Sequence, residues 1–238
     1  MFLKSMSMAV AALLALCTGA AHSATAAPTA NGFANGGFEL ANAAGNPPGG
    51  VSYFSKGWLA APTGNPAMLS NDAHTGAHSA LLTVPAGFGG STLFQNSVDH
   101  GGLPMLTAFN VGDKPMLSFW AKGDVSTTGN VLFALRYLDG IGNILTGSGN
   151  VFFQNQINTT TWSKISFQAA AIPTNTKAVF LEMNTAVGPL LDGRVNAVKI
   201  DDIYLGLAVA AVPEPESYAL MLAGLAGVGA MVRRRRSV

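Results

Sequence analysis

The chain has one cysteine in 238 residues. That excludes an intramolecular disulfide framework and any cysteine-based zinc site. Charge is also scarce: 11% of residues are charged, against roughly 25% in ordinary soluble domains. The formal net charge is +1, which excludes a strongly basic nucleic-acid binder and an acidic-tail protein. Only four histidines are present. His22 falls in the apolar leader described below. His74 and His78 are four apart, but Gly76 between them and Asn71 and Asp72 before them describe a loop, not a metal-binding helix face. The body holds neither a G-x-S-x-G nucleophile elbow nor a phosphate-binding P-loop. What the chain has in excess is apolar residues, at 49%.

Much of that excess lies at the two ends. The chain opens Met-Phe-Leu-Lys, continues as an apolar run from about Met8 to Leu16, and reaches Ala24-Thr25-Ala26 before Ala27-Pro28. A basic start, a short apolar core and an A-x-A site describe a secretory signal peptide over residues 1–26. A lipoprotein signal would use Cys17, but bulky Leu16 precedes it where a small residue belongs. Cys17 therefore leaves with the leader, and the mature chain carries no thiol.

The other end has three parts. Val212-Pro213-Glu214-Pro215-Glu216 is stiff and helix-averse. Ser217 to Val232 is uncharged, and Arg233, Arg234, Arg235 and Arg236 follow. A helix over 217–232 is slightly shorter than a hydrocarbon core, a gap that snorkelling arginines and local thinning cover. The positive-inside rule keeps the arginines cytoplasmic and places the body outside the inner membrane. This order of Pro213, Glu214 and Pro215, apolar helix and Arg233 to Arg236 closely resembles the PEP-CTERM sorting signal of Gram-negative bacteria. The resemblance implies an exosortase as processing partner and export to a cell surface or matrix where exopolysaccharide is made.

Residues 27–211 remain. They carry eight basic against ten acidic residues, a net of −2. Short runs rich in β-branched and aromatic residues alternate with Gly, Asn, Pro and Asp clusters. Strands are predicted at 80–84, 92–97, 114–122, 130–138, 150–157, 162–169, 178–184 and 197–207. Asp139-Gly140-Ile141-Gly142-Asn143 reads as a hairpin turn. No amphipathic helix exceeds two turns. Eight or nine such strands predict an all-β chain, a jelly-roll β-sandwich. Alternation assigns faces: Leu117 and Phe119 oppose Ser118 and Trp120, and Leu181 opposes Glu182. Read together, the strands predict one sheet face carrying Gln95, Trp120, Arg136 and Glu182. Trp58 and Trp162 are expected in the core, and Tyr53 and Phe54 in a loop.

A second resemblance rests on an ordered series. Asn35-Gly36-Gly37-Phe38-Glu39 comes first, then Gly57-Trp58, then Thr75-Gly76-Ala77-His78-Ser79. Leu117–Gly123, the Tyr137–Gly140 turn, Trp162 with Phe167, and Ile200-Asp201-Asp202-Ile203-Tyr204 follow. The series is similar to carbohydrate-binding modules of the family 4/9/22 type. That resemblance implies sugar binding, for which Gln95, Trp120, Arg136 and Glu182 are the candidates. It also implies a structural calcium ion held by Glu39 with Asp201 or Asp202, the loop His74–Ser79 lending carbonyls. The chemistry is coherent, because calcium is a hard cation that takes six to eight oxygen ligands.

The sequence therefore predicts an exported, non-catalytic polysaccharide-binding protein. The alternative is a structural or adhesive matrix component with no specific ligand. A glycan hydrolase would need two carboxylates brought together by the fold, and no nucleic-acid partner is expected.

Overall fold

The computed structural model describes residues 32–40, 52–62, 64–85, 89–96, 110–187 and 194–207. All of them belong to one compact unit spanning Thr29–Ala208. The expected signal peptide, the membrane helix at 217–232 and the sorting motif lie outside the described residues. Within them, no helix is long and apolar enough to cross a membrane.

The strands are β1 (Ser52–Ser55), β2 (Trp58–Ala60), β3 (Met68–Ser70), β4 (Ser79–Val84), β5 (Gly89–Asn96) and β6 (Pro115–Asp124). Then come β7 (Gly129–Leu138), β8 (Ile144–Gly147), β9 (Val151–Phe152), β10 (Ser163–Gln168), β11 (Ala178–Val187) and β12 (Asn196–Leu207). They form two antiparallel sheets. One has seven strands in the order β1-β2-β5-β11-β7-β8, with β9 also paired to β7. The other has five, in the order β10-β6-β12-β4-β3. The all-β sandwich expected from alternation is what forms.

Long strands with strict alternation emerge close to their expected bounds. The short strands β1, β2, β3 and β8 do not stand out in the sequence. Three or four residues carry too few alternations to register against turn-rich surroundings. Tyr53 and Phe54 accordingly lie in β1 and not in a loop. The expected strand at 150–157 is β9 followed by a single 3-10 turn at Gln154–Gln156, because Phe153 turns into the core. The Asp139–Asn143 turn forms as expected. The Asp139 carboxylate accepts the Ile141 and Asn143 N–H groups, and Gly142 takes a positive φ of 89°.

The core lies between the sheets. Phe119 of β6 meets Phe133 of β7 and Phe153 edge-on, with centroids 5.7 and 5.1 Å apart. Phe167 of β10 meets Phe133 at 5.3 Å. Such edge-to-face contacts suit the ring quadrupoles. Tyr137 is buried among them and donates its hydroxyl to the Ala170 carbonyl at 2.9 Å. Burial pushes its pKa up to about 12.

Residues 32–40 close the sandwich. Gly32 N–H donates to the Leu205 carbonyl at 2.7 Å, and Ile203 N–H donates to the Gly36 carbonyl at 2.9 Å. Gly36 is required there, since any Cβ would overlap the Ile203 carbonyl oxygen. Trp58 is in the core, as expected, and its indole N–H is shared between the Ala34 and Asn35 carbonyls.

Candidate functional site

Two sites emerge, one at each sheet. The first gathers the acidic residues. Glu39 ends the closing segment, Asp201 and Asp202 sit at a bulge of β12, and the loop before β4 lies against both. Glu39 accepts the N–H groups of Ala77 and His78 at 2.9–3.1 Å. The His78 N–H and the other donors of that loop hold its carboxyl below the usual carboxylate range, although burial opposes them. Asp201 is fully buried and accepts from the N–H groups of His74 at 2.7 Å and Thr75 at 3.2 Å. Burial, with a smaller push from the Asp202 charge, raises its pKa to about 6 despite those bonds. Asp202 contacts His74 Nδ1 at 2.7 Å and the Thr75 hydroxyl at 2.6 Å. Asp202 adopts φ 49°, a strained left-handed conformation fixed by the bulge.

Glu39 on one side and Asp201 and Asp202 on the other thus meet the same loop, residues 74–78. The loop lends N–H groups to them, where carbonyls were expected. A Cβ on Gly37 would lie 3.6 Å from Asp202 Oδ1 and 3.8 Å from Asp201 Oδ1. Carboxylate oxygens are the donor type that a hard divalent cation takes, and here they are engaged by the loop's N–H groups and the Thr75 hydroxyl. Among the described residues, no group of three or more His, Cys, Asp or Glu is placed to hold a metal ion.

The same loop covers the outer face of the five-stranded sheet. His74 stacks on Trp120, with centroids 3.9 Å apart and ring planes 14° from parallel. Trp162 is half-buried on this face, not in the core as expected, and Lys122 Nζ stands 4.9 Å from its centroid. Register explains this: Trp162 follows on from the Ser163–Ala121 pair, so it lies beside Lys122 on the solvent side. Asp72 ties the loop down by bonding Lys122 at 2.7 Å and Lys199 at 2.5 Å. Sequence reasoning missed this anchor, because Asp72 meets two lysines from strands far along the chain.

The second site is the outer face of the seven-stranded sheet. Pairing aligns Tyr53, Leu59, Phe94, Glu182 and Ala134 in one row across β1, β2, β5, β11 and β7. The adjacent row holds Asn96, Phe180, Arg136 and Gly147. Phe94 and Phe180 lie 5.7 Å apart, and the Arg136 guanidinium is 5.6 Å from the Phe180 centroid. Arg136 bonds Glu182 at 2.7 Å.

Of the four residues expected on one face, only Arg136 and Glu182 come together. Trp120 belongs to the other sheet. Gln95 points inward and is fully buried, its amide bonded to both the N–H and the carbonyl of Ala34 at 2.8 and 3.0 Å. Phe94 and Phe180 were missed. The signal was present, since each is an apolar residue on the side opposite the core-facing Leu93 and Leu181.

Comparison with known proteins adds the end of the chain. Residues 211–236 match the PEP-CTERM protein-sorting motif. The chain carries a PEP-CTERM sorting signal. That motif implies export and processing by an exosortase, and hence a surface protein. No curated protein shows a significant match. Among solved structures, the enzymatically active domain of bacteriophage CBA120 tailspike protein 4 is similar at TM-score 0.50 and 19% identity. The match covers 75% of this chain but 21% of the tailspike chain. The CBM22-1 xylan-binding domain of Paenibacillus barcinonensis Xyn10C is similar at TM-score 0.43 and 15% identity, over 74% of this chain and 93% of that one. The C-terminal family 22 carbohydrate-binding module of Clostridium thermocellum Xyn10B is similar at 0.43 and 17%, over 78% and 100%. These are likenesses of fold.

Asp72 generates a prediction. Lys122 first, then Lys199, holds its carboxyl below the usual range. A lowered folded-state pKa stabilises the fold at pH values above the unfolded carboxylate range, and that contribution fades as pH falls through the folded value. The site is partly exposed, so screening limits it. Asp72→Asn is expected to cost about 0.5–1 kcal/mol at neutral pH. In urea titrations of the full chain, the difference from wild type should shrink below about pH 4.

Proposed function

We propose that this exported protein binds a neutral polysaccharide on the outer face of its seven-stranded sheet, without catalysis. The observation that carries this reading is the Phe94–Phe180 pair beside the Arg136–Glu182 ion pair. The apolar face of a pyranose packs on an aromatic ring, while paired donors and acceptors bond its hydroxyls. Arg136 and Glu182 neutralise each other, so the face suits uncharged sugars. Asn184 and Leu132, one row on, extend it in the direction a chain would run. The ordered motifs resembling family 4/9/22 modules support the same reading. In the rows around Glu182, no second carboxylate stands among the described residues to complete a hydrolytic pair. The sorting signal supports a place at the surface or in the matrix of a Gram-negative bacterium, where exopolysaccharide is the ligand at hand.

The test uses the full chain in mild detergent and affinity electrophoresis against a panel of soluble neutral polysaccharides. Phe180→Ala should weaken binding at least tenfold, about 1.4 kcal/mol, while Trp120→Ala on the opposite sheet leaves it unchanged. Equal binding by Phe180→Ala, or loss with Trp120→Ala alone, defeats the assignment.

Glu39, Asp201 and Asp202 are proposed to hold a stabilising calcium ion. Supporting this is the buried Asp201 carboxyl, which a dication beside it would keep ionised. When bound, the ion would supply charge neutralisation where the closing segment meets β12. Calcium should raise the melting temperature of the full chain and a chelator should lower it. An unchanged melting temperature would mean that the loop N–H groups alone hold the carboxylates.

The tail has its own test. Replacing Pro213, Glu214 and Pro215 with alanine should leave full-length protein retained in the membrane fraction. Normal shortening of that variant, followed by immunoblot, would sink exosortase processing at this motif.

A further inference from the structure

A third feature belongs to neither site: the open edge of the seven-stranded sheet. β11 pairs with one side of β7 along its whole length, and β8 and then β9 line the other side. Among the described residues, no strand pairs with the far side of β8 or β9. Apolar side chains stand exposed along this edge: Ile144 at 61%, Leu145 at 38% and Phe152 at 50%, with Ile141 at 86% in the turn beside them. Single exposed apolar residues are ordinary, but several on one element mark a contact surface.

Pairing fixes their arrangement. Ile144 is opposite Leu138 and Phe152 is opposite Leu132. Leu132, Arg136 and Leu138 alternate onto the outer face, so Ile144 and Phe152 belong to that face too. Six residues of β7 separate their partners, so they stand about 20 Å apart along the edge. Ser148 lies midway. Its N–H donates to the Leu135 carbonyl at 2.9 Å, and its Oγ accepts the Leu135 N–H at 3.0 Å. Gly147 and Gly149 flank it. The edge is therefore apolar at both ends and bare in the middle. A two-fold axis through Ser148, normal to the sheet, sets Ile144 of one copy against Phe152 of a second copy, and repeats the contact at the other end.

Charge supports the same occupant. From Gly140 to Ser163 the chain has no Asp, Glu, Lys, Arg or His. Natural sheets guard their edges with charged side chains, lysine above all. Lys164 stands exposed on edge strand β10, Lys56 follows edge strand β1, and edge strand β3 has only three residues. The β8–β9 edge lacks that guard, so two copies meet there without like-charge repulsion. One guard is present: Leu145 is the extra residue of a bulge in β8. Side chains therefore carry the contact more than backbone pairing does.

We propose that two copies of this chain associate edge to edge through β8 and β9, antiparallel about Ser148. So few apolar side chains make a small interface, below about 1,200 Å², and micromolar self-association. The axis keeps both outer faces on one side, so the two Phe94–Phe180 pairs lie on a common surface. Only the value of that surface for binding polymer rests on the proposed sugar site; the dimer does not.

The test is sedimentation velocity of the full chain in mild detergent over a range of protein concentrations. Wild type should pass from monomer to dimer. Ile144→Lys and Phe152→Glu should each weaken self-association at least about tenfold. Both residues are exposed, so melting temperatures should not change; a variant that has lost its fold is replaced by Leu145→Lys. The decisive sample mixes the Ile144→Lys and Phe152→Glu chains. Antiparallel pairing sets the new lysine against the new glutamate, so the mixture should recover the dimer that neither variant forms alone. Wild type that stays monomeric at every concentration overturns the proposal and leaves the edge to a different protein. A dimer that survives each folded variant places the contact elsewhere, in the apolar tail or on another face, and also overturns it. Failure of the mixture to recover overturns the antiparallel arrangement. Phe180→Ala should leave self-association unchanged, so the sugar site and the dimer fail separately.

Discussion

The fold depends on one short segment being clamped by both sheets at once. Residues 32–40 add backbone bonds to β12 through Gly32 and Gly36. From the other sheet, the buried amide of Gln95 holds Ala34 by both its N–H and its carbonyl, and the Trp58 indole N–H donates to the same Ala34 carbonyl and to that of Asn35. Asn35 and Phe38 both take positive φ values, 49° and 59°. That is costly for an aromatic residue. The cost is met by burying the Phe38 ring against Trp58 at 5.3 Å and Phe54 at 5.8 Å. Asn35 then ties the segment to β1 through Ser55 and the Lys56 carbonyl.

The acidic cluster follows from that clamp. Once Gly36 is seated on Ile203, Glu39 is delivered to the loop before β4, and the β12 bulge turns Asp201 and Asp202 toward the same loop. Gly76 is bare there because a Cβ would overlap the Glu39 carboxylate. The loop in turn stacks His74 on Trp120 and fixes Asp72 on two lysines. The five-stranded face is thereby covered and held, while the seven-stranded face carries Phe94, Phe180, Arg136 and Glu182 side by side.

Strand alternation was legible where it was long. In β6 ten residues repeat the in-out pattern and the buried set follows it, whereas in β12 the bulge between Asp201 and Tyr204 shifts its phase. Alternation states which side of a strand a residue occupies but not which sheet the strand joins. Trp120, on β6, was placed with Arg136, on β7, although the two strands follow each other in the chain and lie in different sheets. Gln95 shows the reverse problem. A polar residue on the core side looks like an outward one until its partner, the Ala34 peptide, is brought to it from 61 residues away.

The sequence alone determined the export route, the sorting signal, the all-β class and the faces of the long strands. Those properties rest on local composition and on a period of two. Tertiary structure decided sheet membership and hence the partners of each side chain, because pairing between distant strands sets which outward rows stand side by side. Only that pairing put Phe94 beside Phe180, separated Trp120 from Arg136, and left Ile144 and Phe152 on an open sheet edge.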